Sequence, residues 1–544
     1  MLSWPLGKAM TWAMNPPASE QGLRLGLESI FRWIGGSVIS RGQNWKQFTL
    51  SLLLFNAVMF TVGFAVLWLQ PLLPLNPDAK GALAPSLIFH TAASFTSNKN
   101  FQHYAGEASM SYFSQIFGLM WLQFVSAATG LAALAALARG LAGSPCLGNF
   151  YGDLSRATFI VLLPLAILGA IVLVLGGIPM TLQGAAVAKT LEGGVQTIAR
   201  GPVAAFVAIK QLGTNGGGWF NANSAHPFEN PTFFTNIAES VFILVMPMAC
   251  TWMFGGITGR MRHAAVVFAV MAVLLIAGVG LAAYFEGAPT AALKGLPVES
   301  SGNLEGKELR FGFPAGPAWA ALTTSTSNGS VDAMFDSLNP LTGLVPMAGM
   351  WFNVAFGGVG VGFINMFLYI IVGVFISGMM VGRTPEYFGR KVETREMKFA
   401  LLAILVHPLL ILSGTALFAA TSWGASAVGN PAFHGFSEIL YEFSSEAANN
   451  GSAFAGISDN TVPINVAGGI IMLLARYIPI IFPLAIAGSL AAKKPSPQTA
   501  GTLRTDTPLF GFVILWTVIL VGALLFVPAA VLGPIAEHLA AAGM

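Results

Sequence analysis

The chain has 544 residues, 55% of them apolar and only 9% charged, with a mean hydropathy of +0.71. One soluble core cannot hide that much apolar surface, so the chain requires lipid as its solvent. The formal net charge of +3 is small, and no segment interleaves basic residues with aromatics as a nucleic-acid groove requires, which excludes nucleic acid as a partner.

Residues 1–46 are mixed and polar and read as a cytoplasmic N-terminal segment. They contain no apolar stretch behind a basic one, so no cleavable signal peptide is expected. Long apolar runs then fall at roughly 48–74, 112–138, 157–178, 236–258, 264–284, 345–382, 399–421, 463–491 and 509–532, giving nine expected spans. With the N-terminus and every second connection assigned to the cytoplasm, 17 of the 26 Lys and Arg residues fall in those segments, which fixes the orientation. The outward segments carry Glu107, Glu229, Glu305, Glu308, Asp332, Glu438 and Asp459, a negative mouth that concentrates cations.

Between paired spans, each long outward segment repeats one pattern: a short apolar stretch, small and hydroxyl residues, then Asn followed by Gly or a polar residue. The copies are Phe95-Thr96-Ser97-Asn98-Lys99-Asn100, Leu212-Gly213-Thr214-Asn215-Gly216-Gly217-Gly218, Thr326-Ser327-Asn328-Gly329-Ser330 and Ala447-Ala448-Asn449-Asn450-Gly451-Ser452. Aligned on Asn98, Asn215, Asn328 and Asn450, they are spaced by 117, 113 and 122 residues, the mark of an internal repeat. The expected architecture is therefore an all-α polytopic membrane protein of four fused span, re-entrant loop, span units around a pseudo-fourfold pore. The units run over 47–138, 156–258, 263–382 and 398–491, and one extra helix follows at 509–532.

The stretches feeding the four turns (82–95, 201–212, 315–325 and 435–446) are too short to cross a bilayer and read as half-length helices that dip in and return. Their partially negative C-terminal ends would face the midplane, and Gly lets the following backbone turn its carbonyls inward. Hydroxyls, amides and carbonyls are neutral ligands that suit a dehydrated monovalent cation, K⁺ first, whereas Mg²⁺ and Ca²⁺ recruit carboxylates. The expected selectivity filter comprises Thr96, Ser97, Asn98, Thr214, Asn215, Gly216, Thr326, Ser327, Asn328, Gly329, Ala448, Asn449, Asn450 and Gly451.

Four further features bear on a pore. Arg476 falls near the centre of its span, so it is expected to face the path as an electrostatic barrier below the filter. The run 345–382 is too long for one span and is interrupted at Gly357, Gly358, Gly360 and Gly362, which predicts a broken helix and a gate. Lys99 beside a cation filter is expected to turn toward the outer mouth, and Lys210 to snorkel or pair. Asn100, Gln102, His103 and Glu107 are candidates for shaping that mouth. Cys146 and Cys250 lack CxxC spacing and read as inert thiols. No phosphate-binding glycine loop and no Asp-Lys-Thr-Gly motif occurs, so ATP chemistry, if any, belongs to another chain.

The runs Asn44-Trp45-Lys46-Gln47, Leu212–Gly218 through His226-Pro227-Phe228-Glu229-Asn230-Pro231, Gly382-Arg383-Thr384-Pro385-Glu386-Tyr387 and Asn449-Asn450-Gly451-Ser452-Ala453-Phe454 carry a resemblance over nearly the whole chain. The sequence resembles the potassium-binding subunits of bacterial Kdp potassium-transporting ATPases, within the superfamily of K⁺ transporters that look like fused channel subunits. The resemblance implies a non-catalytic subunit in the bacterial inner membrane that takes up extracytoplasmic K⁺, with no organic cofactor. It also implies a P-type ATPase partner that uses the ATP, two small membrane subunits, and lateral exit of K⁺ from the filter toward that partner. Two departures stand out: the family usually begins with one more helix, before Pro5-Leu6-Gly7, and the first turn carries Lys99 where lysine is uncommon. A stand-alone, gradient-driven K⁺ channel or symporter of the same superfamily is the alternative, and a membrane enzyme built on His103 and Glu107 is a distant third.

Overall fold

The computed structural model describes residues 1–15, 36, 39, 41–288, 302–380, 382–496 and 504–541. Most of the expected N-terminal segment therefore lies outside the described residues. Among the described residues nine helices are long and apolar enough to span: Trp45–Trp68, Ser114–Ala142, Phe150–Leu175, Phe233–Thr258, Met261–Glu286, Val361–Met380, Thr394–Ala419, Val462–Ala491 and Pro508–Ala541. Two short antiparallel hairpins, Ala186–Lys189 with Val195–Ile198 and Glu386–Tyr387 with Arg390–Lys391, are the described sheet structure.

Burial sorts the spans into two rings. The first span of each unit buries 22–39% of its apolar window, and the second buries 56–83%. The outer spans thus present residues such as Leu50, Leu54, Ile276 and Leu409 to lipid, while the inner ones pack around the centre. Short helices lie between each pair at Pro85–Thr96, Val203–Leu212, Ala315–Ser325 and Ala432–Ala447. Each of these pore helices packs on the outer span of its own unit, and the inner span of the fourth unit packs on the first pore helix, which closes the circle.

The run 345–382 divides as its glycines predict. A helix over Pro340–Phe352 ends at Asn353 in a left-handed conformation, residues 353–360 are non-helical, and Val361–Met380 resumes the helix. Two differences from the expectation concern the chain ends. Ser3–Met14 is a helix rather than a free polar segment, because Gly7, Met10, Ala13 and Met14 share one buried face. Gly7 seats against Ala249 and Trp252, and Gly256 against Thr11, contacts that alanine-sized side chains would crowd. The extra C-terminal helix continues to Ala541 and docks on the fourth pore helix.

That docking is ionic. His434, in the first turn of the pore helix, lies 3.0 Å from Asp336 Oδ1 and 2.7 Å from Glu537 Oε1. Burial alone lowers its pKa, but bonds to the two carboxylates outweigh it and raise the imidazole from 6.5 to about 10. A raised folded pKa stabilises the fold fully below pH 6.5 and loses that contribution as pH climbs through about 10. The thermal midpoint of the detergent-purified protein should therefore fall between neutral pH and about 10. His434→Gln should remove that part of the slope; an unchanged slope would mean the triad holds no such weight.

Candidate functional site

The four pore helices end in the same way. After the helical caps Ser97, Gly213, Thr326 and Ala448 comes a residue with positive φ: Asn98 (64°), Thr214 (47°), Ser327 (50°) and Asn449 (56°). The next amide then bonds back five residues into the helix: Lys99 to Ser94 O, Asn215 to Lys210 O, Asn328 to Thr323 O and Asn450 to Ser445 O. This left-handed closure satisfies carbonyls that a helix end leaves open, here in four places without glycine. A second positive-φ residue follows at Asn100 (50°), Gly216 (80°), Gly329 (94°) and Gly451 (120°). Residues of positive φ on both sides of one ordinary residue turn successive carbonyls to one side rather than alternately.

These bonds correct the register of the first turn. Lys99, not Asn98, is the counterpart of Asn215, Asn328 and Asn450, so the first spacing is 116 residues rather than 117. Asn100 is the counterpart of the three glycines. Thr96, placed in the filter by its sequence, matches Leu212 and is the last residue of its helix, outside the turn.

The turns abut one another in a ring. A Cβ on Gly216 would strike the carbonyl of Asn328, one on Gly329 that of Asn450, and one on Gly451 that of Lys99. Asn98 Nδ2 closes the first turn onto the second by donating to the carbonyls of Gly213 (3.2 Å) and Thr214 (3.1 Å), and Asn215 Nδ2 returns a bond to Asn98 Oδ1 (2.5 Å). Asn328 and Asn450 each donate to the preceding unit, at Lys210 O (3.3 Å) and Thr323 O (2.9 Å). The carbonyls of Lys99, Asn215, Asn328 and Asn450 accept no hydrogen bond from the described residues. Free carbonyls on four abutting turns can replace the water shell of a cation.

Residues 353–360 cross directly under this ring. Gly358 N donates to Thr326 O (2.5 Å), Val359 N to Thr214 Oγ1 (2.9 Å) and Asn353 Nδ2 to Ala448 O (3.0 Å). Ser327 Oγ donates to Asn353 Oδ1 (2.7 Å), and Gly360 lies so close to Gly130 O that a Cβ would overlap it. Gly357 packs on Asn353, while Gly362 already belongs to the following helix. Arg476 sits beside this segment, buried, donating to Ser126 O (3.0 Å) and touching Gly130, with no ion pair among the described residues.

Other expected residues lie elsewhere. Gln102 holds both backbone groups of Gly218, with Oε1 accepting from N (2.7 Å) and Nε2 donating to O (2.9 Å). Lys99 does not turn outward. It is fully buried, its Nζ has no hydrogen-bond partner, and Glu446 and Arg476 are among the charges acting on it. Lys210 is buried and paired, donating to Glu229 Oε2 (2.5 Å) and Ser224 Oγ (2.7 Å). Glu229 Oε1 in turn accepts from Phe220 N (2.8 Å), so the pair ties the second pore helix to the strand of chain leaving its turn. His103 and Glu107 face different neighbours, His103 toward Glu442 and Asn465, Glu107 toward the amide of Asn221. Past the third turn, burial pushes the Asp332 carboxyl up to about 7.

Comparison with known proteins gives consistent results. The family described as potassium-transporting ATPase A subunit matches residues 1–539. A potassium-transporting ATPase potassium-binding subunit from Caldanaerobacter subterraneus subsp. tengcongensis is 46% identical over 99% of this chain and 97% of its own length. One of the same description from Alicyclobacillus acidocaldarius is 50% identical over 91% of this chain and 89% of its own. Among solved structures, the potassium transporter TrkH from Vibrio parahaemolyticus is similar at a TM-score of 0.53, covering 82% of this chain and 85% of that one. At 13% identity that likeness speaks for the fold alone.

The Lys210–Glu229 pair has no exposed surface, so removing one partner strands a charge. Lys210→Met should cost on the order of 3–5 kcal/mol, read as a lowered unfolding midpoint. The double variant with Glu229→Gln should recover part of it; equal loss in both would mean the charge is not what matters.

Proposed function

The chain belongs to the potassium-transporting ATPase A subunit family, and we propose that it selects K⁺ at the ring of its four turns and passes the ion to an ATP-hydrolysing partner. It is a multi-pass membrane protein and the non-catalytic, potassium-binding subunit of an ATP-driven K⁺ uptake complex. The observation that carries the siting is the set of free carbonyls at Lys99, Asn215, Asn328 and Asn450, held by turns that abut in sequence around one axis. Dehydrating K⁺ is cheap enough for neutral oxygens to repay, whereas a divalent ion would demand carboxylates.

Below the ring, residues 353–360 and Arg476 form the block to straight-through flow. Three of the four turns are bonded to that segment, so its movement frees their lower groups, and the guanidinium repels any cation that passes without it. A pump needs such a block, because an open pore would dissipate the gradient it builds. The reading further assigns the chain to the bacterial inner membrane, the turns to the extracytoplasmic side, and ATP hydrolysis to a P-type partner accompanied by two small membrane subunits. The lysine-bearing loops on the opposite side support that orientation. A stand-alone channel or symporter would transport without a partner; family membership favours the pump.

K⁺-stimulated ATP hydrolysis by the assembled complex tests the reading. Gly216→Asp forces a side chain against the Asn328 carbonyl and should raise the K⁺ concentration for half-stimulation at least about tenfold, a loss of ~1.4 kcal/mol of binding. Gly329→Ala, a smaller intrusion on Asn450, should shift it in the same direction with assembly retained. Unchanged K⁺ dependence in both would remove selection from this ring. Arg476→Gln should uncouple transport from ATP hydrolysis; normal coupling would deny it the barrier role.

A further inference from the structure

Behind the first and fourth turns lies a group of side chains, buried except for the partly exposed Asp459, that ion selection does not use. His90 comes from the first pore helix, His103 from the stretch after its turn, Glu442 and Glu446 from the fourth pore helix, and Asp459 from the loop beyond it. The two imidazoles stack with centroids 3.6 Å apart and planes 21° apart. His90 Nε2 lies 3.8 Å from Glu446 Oε1, and His103 Nε2 lies 3.2 Å from Glu442 Oε1 without making an aligned hydrogen bond. One donor atom each from His90, His103 and Glu446 fall within 4.8 Å of one another.

Two observations point to a ligand. First, both ring nitrogens of His90, Nε2 of His103 and all four oxygens of Glu442 and Glu446 lack a hydrogen-bond partner, although the histidine and glutamate side chains are at most 1% exposed. Groups buried that deeply are normally satisfied, so this many bare donors and acceptors mark a site rather than a packing accident. Second, the ring of His103 is held in one orientation. Asn465 Nδ2 donates to Asn460 Oδ1 (3.0 Å) and Ser86 Oγ (3.4 Å), so its Oδ1 is the acceptor 2.7 Å from His103 Nδ1. With Nδ1 held by Asn465, the Nε2 edge of the ring is turned into the cluster, the arrangement that orients a metal-ligating histidine.

We propose that His90, His103 and Glu446, with Glu442 beside them, bind a divalent transition-metal ion, zinc in the first instance. Two imidazoles and carboxylate oxygens are a donor set for zinc, whose bonds of roughly 2.0–2.2 Å place donors about 3.4 Å apart. His90 and Glu446 are 3.8 Å apart, His103 and Glu442 are 3.2 Å apart, and the donor atoms of His90, His103 and Glu446 all lie within 4.8 Å of one another, so a bound ion would draw them in. The ion would bridge the first and fourth pore helices where the ring closes, and so hold Lys99 and Gly451 in register. It is distinct from the transported ion, which meets only neutral oxygens, and the inference does not rest on how K⁺ is selected.

The test uses the whole complex in detergent, stripped with a chelator, exposed to zinc sulfate and desalted, with bound metal measured by elemental analysis. The expected result is about one zinc per chain, lost on His103→Gln and on His90→Gln while the complex remains assembled. A wild type that retains no zinc, or variants that retain as much as wild type, would overturn the assignment. Where a histidine variant fails to assemble, wild type alone decides: Co²⁺ loading should give the intense visible bands of a four-coordinate histidine site, and anomalous scattering at the zinc edge should place the ion between His90 and Glu446. Weak six-coordinate bands, or an ion elsewhere, would defeat it.

Discussion

The structure depends on what to do with a helix that stops inside a membrane. A half-length helix leaves its last carbonyls without partners, and hydrocarbon offers none. Each of the four pore helices answers with the same left-handed closure, using Asn98, Thr214, Ser327 and Asn449 rather than glycine. These strained residues, costing on the order of 1 kcal/mol or more each, persist because the neighbouring turn over-determines them. Asn98 is bonded to Gly213, Thr214, Ser126 and Asn215; Ser327 is held by Asn353. The outcome is a rigid ring whose remaining carbonyls are free for an ion.

That ring sets the packing around it. Gly216, Gly329 and Gly451 are required less for their own backbone freedom than for the carbonyl of the next turn, which fills the place of a side chain. The first unit departs from this rule with Asn100, and it is the unit whose neighbour position holds Lys99 in place of asparagine. In consequence the ring is only approximately fourfold. Behind it, Glu446 of the fourth pore helix is the carboxyl group that acts on the buried Lys99 side chain.

Much of this was legible in the sequence because apolar length is a strong signal. The spans, the four half-length helices and the glycine break at 353–360 all follow from run length and composition, which lipid enforces residue by residue. The first turn was misaligned by one residue because asparagine was used as the landmark, whereas equivalence is fixed by the hydrogen bond five residues back, which no residue type announces. Lys99 was expected to avoid a cation site, yet the fold gives it a pocket behind the ring, made from residues more than 300 positions away in the chain. The partners of Gln102 and of the helix at Ser3–Met14, Gly218 and Ala249–Gly256, are likewise set by topology and not by local pattern.

The central claim is that the ion rests where the four turns converge. Anomalous scattering from Rb⁺ in place of K⁺ in crystals of the complex tests it most directly. The account predicts a peak on the axis among the carbonyls of Lys99, Asn215, Asn328 and Asn450. An ordered Rb⁺ elsewhere, with no density at the ring, would contradict it.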